Sequence, residues 1–182
     1  MRKYIPTYTE HLARYVFALS SCYKKSVLDL GAKDGDCTFL LTYGANDVTL
    51  ADISEQWLNA AKVNHSYKCP TRFELVDLEK SFPEGKWDVI TAFEIIEHLE
   101  DGDFLIKNVV EHLNKDGIFI FSVPHMVANR EHKVLYDEQK IQDLIGRYLH
   151  IEEFYVQDSK VISDKPSYKG LKCYIGIARK MV

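Results

Sequence analysis

Glu94, Glu97 and His98 stand in the stretch FEIIEHLED at spacings i, i+3 and i+4, so a helical turn there would bring two carboxylates and an imidazole to one face. His132 follows further along, in NREHKVLYDEQK. Two carboxylates with two imidazoles make a ligand set for a divalent transition metal such as Mn or Fe, or for Mg if histidine contributes less. Such an ion would hold two hydroxyls of a substrate and lower the pKa of the one that reacts. Without a metal, His98 and His132, with Glu97 beside them, remain candidates to take a proton from a hydroxyl, because imidazole titrates near neutral pH. His125, just after Pro124, is a weaker candidate, while His11, His65, His112 and His150 read as helix-surface or strand-start residues.

A second constellation is built from aspartates and glycines. VLDLGAKDG, Val27 to Gly35, reads as a strand, a glycine-bearing turn and the start of a helix. That arrangement lets a ligand approach free backbone N–H groups. The dinucleotide fingerprint would need glycines where Lys33 and Asp36 stand. With Asp34 and Asp36 adding negative charge, an uncharged or cationic moiety fits this turn better than a diphosphate. Asp52 closes the next strand pattern, where a carboxylate can accept both hydroxyls of a ribose. Asp77 closes the third and is placed to meet an adenine edge.

Positioning these groups requires an alternating fold. Tyr8 to Cys22 predicts an amphipathic helix with Leu12, Tyr15, Val16 and Leu19 on its apolar face. Strand patterns follow at Ser26 to Leu30, Asp47 to Ala51, Phe73 to Val76, Trp87 to Phe93, Gly117 to Val123, His150 to Gln157 and Lys172 to Arg179. Between them lie helices from Asp36 to Thr42, from the Ser54 cap to Val63 with Trp57, Leu58 and Ala61 inward, over Leu105, Val109 and Leu113, and from Asp137 to Tyr148. Asn114 to Gly117 reads as a turn. Strands of nearly continuous hydrophobicity separated by helices predict a Rossmann-like, doubly wound α/β sheet of seven strands, mostly parallel. Asp158 to Leu171 has no helix-length pattern, so the C-terminal strand is expected to return antiparallel. One domain spanning residues 1–182 accommodates all of this. In such sheets ligands bind beyond the carboxyl ends of the strands, the edge where Gly31, Asp52, Asp77 and Glu94 fall.

Taken together, VLDLGAKDG, VTLADIS, FELVDLE, WDVITAFEIIEHLED and LNKDGIFIFSVPH resemble, in order, the motifs of class I S-adenosylmethionine (SAM)-dependent methyltransferases. The resemblance implies SAM as cofactor, with Asp29 and Gly31 on its methionine side and Gly31 and Gly35 permitting close approach. It implies Asp52 on the ribose, Ile53 on the adenine, Asp77 and Leu78 at the adenine rim, and backbone near Phe93 at the amino-acid end. Lys33 departs from the family, which usually has glycine there. E-x-x-E-H also resembles the metal-dependent small-RNA 3′-terminal 2′-O-methyltransferases, in which Glu94, Glu97, His98 and His132 match metal ligands, and the O-methyltransferases of ubiquinone biosynthesis.

Composition narrows the acceptor. A net charge of −4 is a poor match to the polyanionic backbone of nucleic acid, and HMVANR stands where the RNA family has substrate-contacting Asn and Glu. A small hydroxylated metabolite is the expected acceptor, RNA the alternative. At 46% hydrophobic and 27% charged residues the chain is an ordinary globular sequence without a bilayer-length apolar run. MRKYIPTYTE lacks the apolar core of a signal peptide, and Cys22, Cys37, Cys69 and Cys173 fit neither a zinc framework nor a disulfide scaffold, so a cytoplasmic protein without membrane partners is expected. Oligomeric state is not readable. Two other readings compete. Ser122, Tyr136 and Lys140 have the order of a short-chain dehydrogenase site, and Lys33 is compatible with a non-catalytic SAM-fold scaffold.

Overall fold

In the computed structural model, which describes residues 8–164 and 173–181, the apolar runs pair as a single sheet of eight strands. The strands are β1 (Ser26–Leu30), β2 (Asp47–Asp52), β3 (Thr71–Leu75), β4 (Trp87–Phe93), β5 (Leu113–Pro124), β6 (Leu149–Asp158), β7 (Val161–Ser163) and β8 (Cys173–Lys180). Their order is β3-β2-β1-β4-β5-β8-β6-β7. β1 to β5 are parallel, and β8 runs antiparallel between β5 and β6. Strand order reverses between β1 and β4, which opens a crevice beyond their carboxyl ends.

Both faces of the sheet are covered, and the strand side chains divide with a period of two. Leu28, Leu30, Phe119, Phe121 and Val123 pack with α3 (Gly102–His112) and α4 (Glu138–Gly146). Val27, Val89, Phe93, Ile118 and Ile120 pack with α1 (Tyr8–Cys22) and α2 (Glu55–Asn64). Capping fixes the helix starts: Ser54 Oγ accepts from Trp57 N, Asp101 from Phe104 N and Asp137 from Lys140 N.

Several expectations need correction. The sheet has eight strands, because β7 forms a short hairpin with β6 inside the expected connection; the rest of that connection, from residue 165, and Lys172 lie outside the described residues. So do the first seven residues, on which the signal-peptide reading began. The segment expected as a helix from Asp36 is a 3-10 helix, Thr38–Tyr43, containing β-branched Thr38 and Thr42 and the aromatic Phe39, which disfavour a longer α-helix. Asn114 to Gly117 is not a turn between elements but a register break within β5, where Trp87 pairs with Leu113 and Val89 with Ile118; Leu113 accordingly belongs to β5. In α1 the buried face runs through Arg14, Tyr15, Ala18 and Cys22, and Val16 is 54% exposed. In α2, Leu58 and Ala61 face the sheet, but Trp57 is 45% exposed.

Candidate functional site

The crevice is a cavity of about 450 Å³ at the carboxyl edge of the sheet. On its floor, Gly31 N and Ala32 N both donate to Ala51 O, at 2.8 and 3.1 Å, tying the turn after β1 to the end of β2. Gly31 and Gly35 have φ of 71° and 74°, the left-handed region that favours glycine. Their bare Cα positions serve the protein's own packing. A Cβ at Gly31 would overlap Ile95, and one at Gly35 would overlap the Tyr67 hydroxyl. Asp52 is buried, with Oδ2 accepting from Lys33 N at 2.9 Å and Oδ1 from Ser54 N at 2.8 Å. Those bonds orient the carboxylate and leave one lone pair on each oxygen toward the cavity.

Of the residues expected at the cofactor, Gly31, Asp52, Ile53, Asp77 and Leu78 line the cavity, with Ile53 68% exposed. Trp57, expected inward, lines it too. Asp29, Gly35 and Phe93 are off its wall. Asp29 is fully buried beneath it and accepts from the Thr38, Thr91 and Tyr15 hydroxyls. Burial raises its carboxyl to about 6, against the lowering effect of these three donors. Asp77 accepts from Lys80 Nζ at 2.6 Å, and this bond holds its pKa below the usual carboxylate range.

At the other end of the cavity stands the Glu-Glu-His stretch. It is not one helical face. Glu94 adopts φ 58°, and only Ile96–His98 form a single 3-10 turn. Glu94 N donates to Ser122, and its Oε1 accepts from Ser122 Oγ at 3.0 Å and from Cys173 Sγ at 3.3 Å. Arg14 Nη1 lies 3.5 Å from the same oxygen. Glu94 therefore lines the cavity but points toward α1 and β8, apart from the other three candidates.

Those three do converge. Glu97 Oε1 lies 3.7 Å from His98 Nε2 and 4.0 Å from His132 Nε2. The two rings meet edge to face. His98 Nδ1 is 3.0 Å from Glu131 O and His132 Nδ1 2.6 Å from Val127 O. A carbonyl only accepts, so each neutral ring carries its proton on Nδ1 and turns an Nε2 lone pair toward Glu97. Glu97 is 1% exposed, and neither of its carboxylate oxygens has a hydrogen-bond partner among the described residues. Burial, followed by the charge of Glu94, pushes its carboxyl well above the usual range; burial lowers His98.

The segment carrying His132 is strapped across the cavity rim. Lys133 N and Val134 N donate to Glu97 O at 2.8 and 3.2 Å. Lys133 Nζ binds both oxygens of Glu79, at 2.8 and 3.0 Å. Of the other histidines, His125 bonds the Tyr174 hydroxyl at 2.7 Å, and His11 is lowered to about 4 by burial and then Arg14. Sequence reasoning missed Arg14 and Trp57. No local signal marks Arg14, whose Nε reaches Gln157 at 2.7 Å across the fold.

A family profile described as a methyltransferase domain matches residues 1–154, most of the chain. The chain belongs to the class I SAM-dependent methyltransferases. This methyltransferase is 23% identical over 155 residues to a ubiquinone biosynthesis O-methyltransferase of Hydrogenovibrio crunogenus, a match covering 81% of the chain and 62% of that relative. The chain thus spans less than two thirds of the relative's length. Its fold is that of a SAM-dependent methyltransferase from Clostridium acetobutylicum (TM-score 0.78, 16% identity, 97% and 93% of the two chains). It also matches the N-methyltransferase NodS of Bradyrhizobium japonicum in complex with S-adenosyl-L-homocysteine (TM-score 0.73, 18% identity, 94% and 86%). The family assignment replaces the dehydrogenase reading. Ser122 is engaged with Glu94, and the Lys140 ammonium lies over the Tyr136 ring instead of beside its hydroxyl. Among the described residues no helix is long and apolar enough to cross a membrane, and all four cysteines are free.

Proposed function

We propose that this methyltransferase transfers the methyl group of SAM to an oxygen of a small hydroxylated metabolite, with a divalent cation held by Glu97, His98 and His132. The buried Glu97 carboxylate, faced by two imidazole lone pairs and no donor, carries the reading. Three acceptors facing one another need a cation or a proton between them. Two ligands about 2.1 Å from one ion are at most about 4.2 Å apart, so the 3.7 and 4.0 Å from Glu97 to the imidazoles fit; all three ligand atoms lie within 4.8 Å of one another, and small side-chain movements would close the set on an ion. The carbonyl partners on both Nδ1 atoms supply the orienting outer contacts that such sites use. Glu94, bound to Arg14 and Ser122, is left out of this set.

Asp52 is the group to hold the ribose, Ile53 and Trp57 are the apolar walls for the adenine, and Asp77 and Leu78 form its rim. SAM supplies an electrophilic methyl on a sulfonium, so the protein's task is chiefly alignment. A bound cation would supply Lewis acidity at an acceptor hydroxyl. Without a bound cation, His98, on the cavity wall, is the group to take that hydroxyl's proton at Nε2. The O-methyltransferase relatives support oxygen over nitrogen as the acceptor atom.

Trp57 reports the test, because the other tryptophan, Trp87, is 1% exposed in the core. Titrating the full chain with S-adenosylhomocysteine should change Trp57 fluorescence, and Trp57→Phe should abolish the signal. Asp52→Ala should weaken binding about 100-fold, the loss of two hydrogen bonds to a charged acceptor at about 1.5 kcal/mol each. Unchanged affinity in Asp52→Ala would falsify the ribose assignment.

A further inference from the structure

Two lysines line the cavity, and they differ in one respect. Lys133 is bound to Glu79 and Glu100. Among the described residues, the Lys33 ammonium makes no hydrogen bond or ion pair. The backbone at Lys33 is left-handed, with φ of 50°, which is unfavourable for any residue bearing a Cβ. A strained conformation kept at a cavity wall points to a use for the side chain.

The position of the charge narrows that use. Lys33 N is fixed to Asp52 Oδ2, so the side chain starts from the ribose-side carboxylate. Lys33 shares the lining of one cavity with Glu94 and His98, so it belongs to the same space as the acceptor end. A free cation there suits an anion. We propose that Lys33 is a carboxylate-recognition residue and that the acceptor carries a carboxylate beside the hydroxyl to be methylated. This rests on the reading of the cavity as the SAM site.

A carboxylate could also come from the amino-acid end of SAM. That end brings an ammonium and a sulfonium with it, and Lys33 would repel both. The acceptor's carboxylate meets no such cost. Lys33 also disfavours the charged sulfonium relative to its neutral thioether product, so removing its charge should favour SAM over S-adenosylhomocysteine.

The test uses the full chain saturated with S-adenosylhomocysteine, and compares benzoate with benzyl alcohol by calorimetry. The wild type should bind benzoate at least about fivefold more tightly, the size of a partly exposed ion pair. Lys33→Met should lose that preference and keep its affinity for S-adenosylhomocysteine within about twofold; Lys33→Arg should retain both. Absence of benzoate preference in the wild type, or its survival in Lys33→Met, overturns the proposal. Equal loss of SAM and S-adenosylhomocysteine binding in Lys33→Met assigns the lysine to the cofactor's carboxylate and overturns it as well. Failure of the wild type to bind S-adenosylhomocysteine sinks the underlying cavity reading first, before benzoate is added.

Discussion

Replacing Glu97 with glutamine should make the metal-free protein more stable at pH values where the Glu97 carboxyl is ionised, an unusual outcome for a fully buried residue. The carboxylate has two oxygens without donors and two imidazole Nε2 atoms opposite them. The amide keeps the shape and adds an NH2 group that can donate to His98 or His132. Relieving one unsatisfied buried polar group is worth about 1–3 kcal/mol. For a chain of this size that corresponds to a rise in Tm of roughly 3–10 °C. The backbone bonds from Lys133 and Val134 to Glu97 O are untouched. With Mn²⁺ the order should invert. At 1,000 times its Kd the ion adds about 4.1 kcal/mol to the wild type and nothing to Glu97→Gln, more than the gain of about 1–3 kcal/mol from the amide. Urea and thermal unfolding, run with chelator and then with excess Mn²⁺, read both arms. A Glu97→Gln protein that is less stable in chelator, or equally stabilised by Mn²⁺, refutes the reasoning.

Two further outcomes follow from the cavity floor. Asp29 is raised to about 6 when folded, from about 3.9 unfolded, so the native state holds its proton more tightly. Its contribution is full below about pH 4 and declines as pH rises through 6, by about 3 kcal/mol in all. Urea unfolding from pH 4 to 7.5 should show the stability of Asp29→Asn rising relative to wild type by that order; a pH-independent difference contradicts the assignment. Gly31→Ala should lower stability by about 2–4 kcal/mol, from its left-handed φ and the overlap with Ile95. Adding Ile95→Ala should recover part of the loss, and no recovery would show that Ile95 is not the obstacle.

The sheet was legible because SVLDL and WDVITAF are apolar runs long enough for a strand and too short for a helix. The faces of the helices were less legible. Periodicity ranks residues by hydrophobicity, yet α1 buries Arg14 and Tyr15, whose partners Glu94, Gln157 and Asp29 lie in other elements. Trp57 is turned outward for the complementary reason, since the cavity beside it is an apolar surface that sequence does not reveal. At the site, the convergence of Glu97, His98 and His132 followed from spacing and resemblance. The departure of Glu94 did not, because it depends on Ser122 and Cys173 from strands far along the chain. The glycines were singled out for close approach of SAM, whereas the chain's own Ile95 and Tyr67 side chains occupy the space a Cβ would take there.

The two walls of the cavity come from separate stretches of sequence. Gly31 to Glu79 supply one, and Glu94 to Lys133 the other, with the surface turn before Trp87 between them. Chimaeras joined in that turn would inherit nucleoside recognition and Lys33 from one parent and the Glu97, His98 and His132 cluster from the other. The Lys133–Glu79 bridge is the main side-chain bond spanning the join at the rim. Swapping halves therefore demands that this pair and the buried Arg14–Glu94 pair both be kept matched, a modest constraint for directed recombination.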